Sequence, residues 1–369
     1  MKIGILTLPF NHNYGGYLQA YALMTVLKRM GHEVWLINRK PDGLHCSMIR
    51  YLKARIKMLI TREFIVYNTK SREKLYKKQG KNILPFLDKY LMPKTEEIKS
   101  SNDFRKIKKH NFEALIVGSD QVWRAKYVPG IADFYFAFAE QWQVKRIAYA
   151  ASFGTDEMEY TEEDIERCGA LFKKFNAASV REKSAISLIK DKYHWSAQTP
   201  AEVVLDPTML LTKQDYEKCC ISNNNTTVNN ILFCYILDDV EGKAEILAQV
   251  AKELNCELKL FTLGSTLPSI EDWLKSIMTA KYVITDSFHG TVFSALFNRP
   301  FISIGNPERG LARMVDLLEI IDLRQHLVTD FSFDIAIRLL SENTYDWNSV
   351  NSKIDILRNE SLNFLMKNL

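Results

Sequence analysis

Ser287-Phe288-His289-Gly290 places a hydroxyl, an imidazole and a residue without a side chain in one short run. Imidazole can move a proton at neutral pH, and the adjacent glycine would let a ligand approach the backbone closely. The chemistry open to such a set is general acid–base work on a small bound molecule. A structural turn with a capping histidine is the alternative. Three more polar runs carry chemistry-bearing side chains: Asn13-Tyr14-Gly15-Gly16, Ser119-Asp120 and Arg181-Glu182. The planar fork of Arg181 can grip both oxygens of a carboxylate or phosphate, and an ion pair with a neighbour is its competing use. Gly15-Gly16 reads either as a tight turn or as a ligand-facing helix N-terminus. Together, a histidine, an arginine and several helix starts suggest a small anionic ligand.

The elements around these runs give them a common setting. Tyr282 to Thr285 reads as a buried strand that stops at Asp286. Helical spacing follows as far as Asn298-Arg299-Pro300, and Pro300 to Gly305 reads as the next strand. Asn13 to Gly16 likewise follows a strand, Ile3 to Leu8, and precedes a helix, Tyr17 to Met30. Ser119-Asp120 follows Ala114-Leu115-Ile116-Val117, and Arg181 closes the strand that begins at Ala178. Polar turns at the carboxyl ends of strands are where open α/β sheets collect ligands.

The alternation of strands and helices occurs twice. Residues 1–211 form one unit, with a basic helical insertion at about 45–110. Residues 231–348 form another, and 212–230 is an Asn/Thr-rich linker between them. Residues 349–369 read as a final helix packing back on the first unit. The expected fold class is α/β, with two Rossmann-like doubly wound domains facing a cleft. The glycines near the N-terminus lack the G-x-G-x-x-G spacing of a dinucleotide site.

At 369 residues the chain exceeds the usual size of one core, and 47% apolar with 25% charged residues describes an ordinary globular composition. The seven histidines stand singly, so no metal site is expected. None of the six cysteines forms a C-x-x-C pair, which fits reduced thiols and a cytoplasmic location. No apolar run is long enough to span a membrane. Between Arg50 and Lys109 many lysines and arginines alternate with residues such as Ile56, Met58, Leu59 and Ile60. That pattern fits a solvated face or a peripheral contact with anionic lipid at the inner face of the membrane. Aromatics are too sparse among these bases to suggest nucleic acid.

In their order along the chain, Asn13-Tyr14-Gly15-Gly16, Gly118-Ser119-Asp120-Gln121-Val122-Trp123, Ser179-Val180-Arg181-Glu182, Leu205-Asp206-Pro207 and Ser287-Phe288-His289-Gly290 resemble the motifs of the polysaccharide pyruvyl transferases. The resemblance implies a GT-B-like fold. It also implies phosphoenolpyruvate as co-substrate, with no separate cofactor, and a saccharide acceptor, often lipid-linked, that receives pyruvate as a cyclic ketal. By the same resemblance His289 is the catalytic histidine and Arg181 binds the donor, beside Ser287 and Gly290. Some relatives carry a second arginine two residues before the histidine, where this chain has Ser287, and Arg309 or Arg313 could supply that charge. Asn13, Gly15, Gly16, Ser119 and Asp120 are then expected at the acceptor side or cleft. A nucleotide-sugar glycosyltransferase and a non-catalytic glycan-binding protein are the alternatives.

Overall fold

The computed structural model describes residues 1–11, 13–41, 74, 76–128, 130–198, 200–220, 227–238, 240–262, 267–306, 310–342 and 344–369. Two parallel sheets carry the architecture. The first contains β1 (Lys2–Leu6), β2 (Glu33–Leu36), β3 (Ala114–Val117), β4 (Lys145–Ala151), β5 (Ala177–Val180) and β6 (Glu202–Val203), in the spatial order β2-β1-β3-β4-β5-β6. The second contains β7 (Ile231–Ile236), β8 (Glu257–Thr262), β9 (Tyr282–Thr285), β10 (Phe301–Ile304) and β11 (Leu327–Val328), in the order β11-β10-β9-β7-β8. The two sheets share one winding plan. In each, the first strand lies between the second and the third, so the strand order reverses between β1 and β3 and between β7 and β9.

Residue choice explains these strands. Ala114–Val117 is apolar throughout and wholly buried, as a parallel strand covered on both faces must be. Register follows from the same burial: Ile3 pairs with Val34 on one side and Ala114 on the other. Helices return between strands, and the helix Tyr14–Arg29 is representative. The Asn13 side chain accepts the Gly15 N–H at 3.1 Å to begin it, and Lys28 and Arg29 complement the dipole in its last turn.

The halves are not separate apolar cores. One cluster runs from Ile3, Tyr14 and Leu23 of the first half to Trp273, Phe293 and Phe301 of the second. Tyr14 stacks on Trp273 with ring centres 5.1 Å apart, and its hydroxyl donates to the Pro268 carbonyl at 2.9 Å. The segment expected as a linker is partly built into this junction. Lys213–Cys220 is helical, and its Tyr216 is fully buried against Phe293. Its charged residues read as a polar connection, but one aromatic anchors it. Residues 221–226 of the Asn/Thr-rich run lie outside the described residues.

The basic insertion is described only in part, because 42–73 and 75 lie outside the described residues, and with them Arg50, Ile56, Met58, Leu59 and Ile60. Its end, Ser101–His110, is a 3-10 helix that buries Phe104 and Ile107 while Lys106 pairs with Asp103. Finally, the helix Trp347–Asn368 spans both halves. Tyr345 stacks on Trp347 and bonds the Phe301 backbone, whereas Arg358 Nε donates to the Met209 carbonyl (2.7 Å) and Ser361 Oγ accepts from Leu205 N (3.0 Å). Among the described residues no helix is long and apolar enough to cross a membrane.

Candidate active site

Parallel strands leave their carboxyl ends on one edge, and at a reversal of strand order the two flanking loops diverge and open a crevice. Both reversals in this protein face the same cleft of about 810 Å³. Asn13 and Asp120 reach it from the β1/β3 side, and Leu237, Asp286 and Ser287 from the β7/β9 side. Three helices also start at its wall: Tyr14–Arg29 after Asn13, Phe288–Leu296 after Ser287, and Leu311–Ile320 after Gly310. Their aligned dipoles, with the first-turn N–H groups that the Asn13 and Ser287 caps do not take, make the cleft favourable to an anion.

His289, in the first turn of its helix, lines the cleft yet is only 5% exposed. Two first-half residues hold it. Gly15 lies so close that an added Cβ would sit 1.8 Å from His289 Nδ1, so this position must be glycine to admit the ring. On the other side, His289 Nε2 faces Asp206 Oδ2 at 3.7 Å, longer than a hydrogen bond but within ion-pair reach. Among the described residues Nε2 has no hydrogen-bond partner.

Asp206 is itself fixed from several directions. Its Oδ1 accepts from Thr208 N (3.0 Å) and Thr208 Oγ1 (2.7 Å), and its Oδ2 from Arg181 Nη1 (2.6 Å) and Ser119 Oγ (3.2 Å). Burial alone would raise its pKa, but His289, Arg181 and Thr208 outweigh it and hold the carboxyl well below the usual range. The short β6 ends at Val203, and three residues on Asp206 caps the turn Pro207–Met209, whose first position suits a proline because its N–H would go unpaired there.

Arg181 stands elsewhere than the sequence suggests. It is buried and does not line the cleft: its Nη1 bonds Asp206 and its Nη2 Asp120 Oδ1 (3.4 Å), while its Nε has no hydrogen-bond partner among the described residues. Arg181 is the first residue after β5, and the loops after β3 and β6 on either side supply its carboxylates. Among the described residues Arg313 is the arginine on the cleft wall. Its Nη1 is 3.8 Å from Asp120 Oδ1, and the guanidinium lies 5.4 Å from the centre of the Phe288 ring. Burial and the like charge of Arg181 push its pKa down to about 10 despite Asp120 and Glu182, so it remains a cation at neutral pH. Arg309 lies outside the described residues.

Other expected positions divide. Ser287 is at the cleft, where its hydroxyl accepts the Gly290 N–H at 3.3 Å. Asn13 Nδ2 reaches Asp120 Oδ2 at 3.5 Å, and both residues line the cleft. Ser119 does not: it is fully buried, its one hydroxyl proton shared between the Ala150 carbonyl (2.9 Å) and Asp206 Oδ2 (3.2 Å), and the next residue, Asp120, takes φ +70°. Gly16 meets nothing closer than Asn13 Nδ2 at 4.0 Å, so no tight approach explains it. Gly290 makes room for packing rather than for a ligand, since a Cβ there would lie 2.4 Å from Thr285 Oγ1. Gly290→Ala should therefore destabilise the fold by about 1–3 kcal/mol through overpacking, read as a lower melting temperature.

Residue patterns alone gave no role to Asp206, Asp286 or Phe288. Asp286 accepts backbone N–H groups from Leu237 (2.8 Å) and Asp238 (2.9 Å) and so ties β9 to the loop after β7; burial still raises its pKa. The Phe288 ring carries Arg181 at 4.5 Å in addition to Arg313. Leu205-Asp206-Pro207, one of the runs that carry the family resemblance, is the sequence signal at position 206.

No curated protein matches the chain by sequence. Among solved structures, UDP-N-acetylglucosamine 2-epimerase from Rickettsia bellii is similar over 100% of this chain and 96% of its own, with a TM-score of 0.55 at 10% identity. The Methanocaldococcus jannaschii UDP-GlcNAc 2-epimerase, in complex with UDP-GlcNAc and UDP, gives a TM-score of 0.54 at 12% identity over 97% and 100% of the two chains. Spinosyn forosaminyltransferase gives 0.50 at 11% identity over 98% and 94%. At such identities the likeness establishes the fold, two Rossmann-like sheets as in GT-B glycosyltransferases and epimerases. The family profile of polysaccharide pyruvyl transferase matches residues 13–308, a span holding His289, Asp120, Arg181 and Asp206, and the chain belongs to that family.

Proposed function

We propose that the protein transfers the pyruvyl group of phosphoenolpyruvate to a sugar of a surface polysaccharide, or of its lipid-linked precursor, as a cyclic ketal. The observation that carries this reading is the convergence of His289, Arg313 and three helix N-termini on one cleft. Phosphoenolpyruvate bears a carboxylate and a phosphate, and this is a cleft built to hold negative charge beside a proton-transfer group. Arg313 and the helix starts bind the anion, and His289 serves the enol. Protonation of the methylene carbon makes a methyl group and an oxocarbenium-like centre. One sugar hydroxyl adds there, phosphate departs with its oxygen, and a second hydroxyl closes the ketal. Of the two hydroxyl protons released, one replaces that given to the methyl group and the other leaves on phosphate. Asn13 and Asp120 stand at the first-half wall, where the acceptor enters. No cofactor beyond phosphoenolpyruvate enters this scheme.

The test is phosphate release from phosphoenolpyruvate, with the gain of one pyruvate mass on the acceptor, across free and lipid-linked saccharides. Activity with a nucleotide-sugar and none with phosphoenolpyruvate over that set would overturn the proposal in favour of glycosyl transfer. Saccharide binding without either reaction would make the protein a binding module. Arg313→Ala should raise the KM for phosphoenolpyruvate roughly 10- to 100-fold, the range for losing a hydrogen bond to a charged group, with a smaller change in kcat. An unchanged KM would remove Arg313 from the donor site.

A further inference from the structure

His289 and Asp206 come from opposite halves of the molecule, and the environment of each is asymmetric. Asp206 cannot follow the histidine, because Thr208, Arg181 and Ser119 fix both of its oxygens. The imidazole is confined as well, since Gly15 packs against the ring at Nδ1, Cε1 and Cγ. Nε2 is thus the nitrogen turned to a buried carboxylate, and it has no hydrogen-bond partner among the described residues. A lone pair on Nε2 would face the negative charge of Asp206, whereas an N–H would be attracted to it. The charge therefore selects the tautomer.

We infer that Asp206 is a positioning residue for His289, keeping a proton on Nε2 and leaving Nδ1, the ring nitrogen away from Asp206, as the atom that exchanges a proton with a substrate in the cleft that His289 lines. The 3.7 Å separation shortens to hydrogen-bond length in the liganded site, as loose contacts in unliganded sites commonly do. The second half supplies the acid–base group and the first half sets its tautomer, so the imidazole is correctly poised only when both walls of the cleft are in place. This inference rests on the cleft being the pyruvyl transfer site, although the tautomer itself can be read without any reaction.

The experiment is long-range proton–nitrogen NMR on the full-length ¹⁵N-labelled protein, with His289 identified by the signals missing in His289→Asn. At a pH where its imidazole is neutral, wild-type His289 is expected to carry the remaining proton on Nε2. In Asp206→Asn that preference should weaken, and kcat should fall ~10²-fold, the cost of about 1 Å of misplacement, while KM for phosphoenolpyruvate stays within a few-fold. A neutral wild-type His289 protonated on Nδ1 alone overturns the inference. So does a folded Asp206→Asn variant with the wild-type tautomer and turnover. If Asp206→Asn does not fold, the wild-type tautomer decides alone. Protonation on Nε2 in a protein inactive with phosphoenolpyruvate would leave the pairing intact and sink only the proposed reaction.

Discussion

His289→Asn is expected to lower turnover with phosphoenolpyruvate by roughly 10²–10⁴-fold, the usual contribution of a general acid–base group. Asparagine keeps a polar side chain in the space but cannot take up or release a proton at neutral pH. Donor binding should change far less, because the helix N-termini and Arg313 remain on the cleft wall. The fold should also survive, since among the described residues His289 Nε2 makes no hydrogen bond that the substitution would break. Initial rates of phosphate release, with circular dichroism as the control for folding, check the result. Near-normal turnover in a folded variant would exclude the histidine from the chemistry.

What could be read from the sequence and what could not differ in physical kind. Local alternation was sufficient for β9 and the helix Phe288–Leu296, because an apolar run closed by Asp286-Ser287 leaves few other conformations. It was also sufficient to place Asn13, Asp120, Ser287 and His289 at strand ends, and all of these reach the cleft. Depth was not legible. Arg181 follows a strand as the others do, but whether its fork meets a ligand or two carboxylates depends on Asp120 and Asp206, which only the folded sheet brings together. The reason for a glycine was equally hidden. Gly15 and Gly290 both lie beside polar groups in sequence, yet one admits an imidazole from the other half and the other admits the side chain of Thr285. Tyr216 makes the same point at larger scale: one aromatic residue in a charged stretch turns an expected linker into part of the junction between the sheets.

Arg181→Ala should have the largest effect on stability, because it leaves buried carboxylates without their cation. Arg181 is fully enclosed and bonds Asp206 at 2.6 Å and Asp120 at 3.4 Å. Removing one partner of a buried ion pair typically costs about 3–5 kcal/mol, since the remaining charge stays desolvated. Arg181→Lys should be intermediate, as one ammonium replaces a fork that spans two carboxylates. The pH dependence has a definite sign. Asp206 has a depressed pKa in the folded state, so its stabilising contribution is complete above the ordinary carboxylate value of about 3.9 and is lost as pH falls through its own lower value. Without Arg181 that lower value rises, and acid unfolding should begin at a higher pH than in the wild type. Denaturant melts between neutral pH and about pH 3 measure both effects on the same samples, within the range where carboxylates titrate. Equal stability of Arg181→Ala and wild type at neutral pH, with the same acid midpoint, would contradict the buried network and return Arg181 to the ligand.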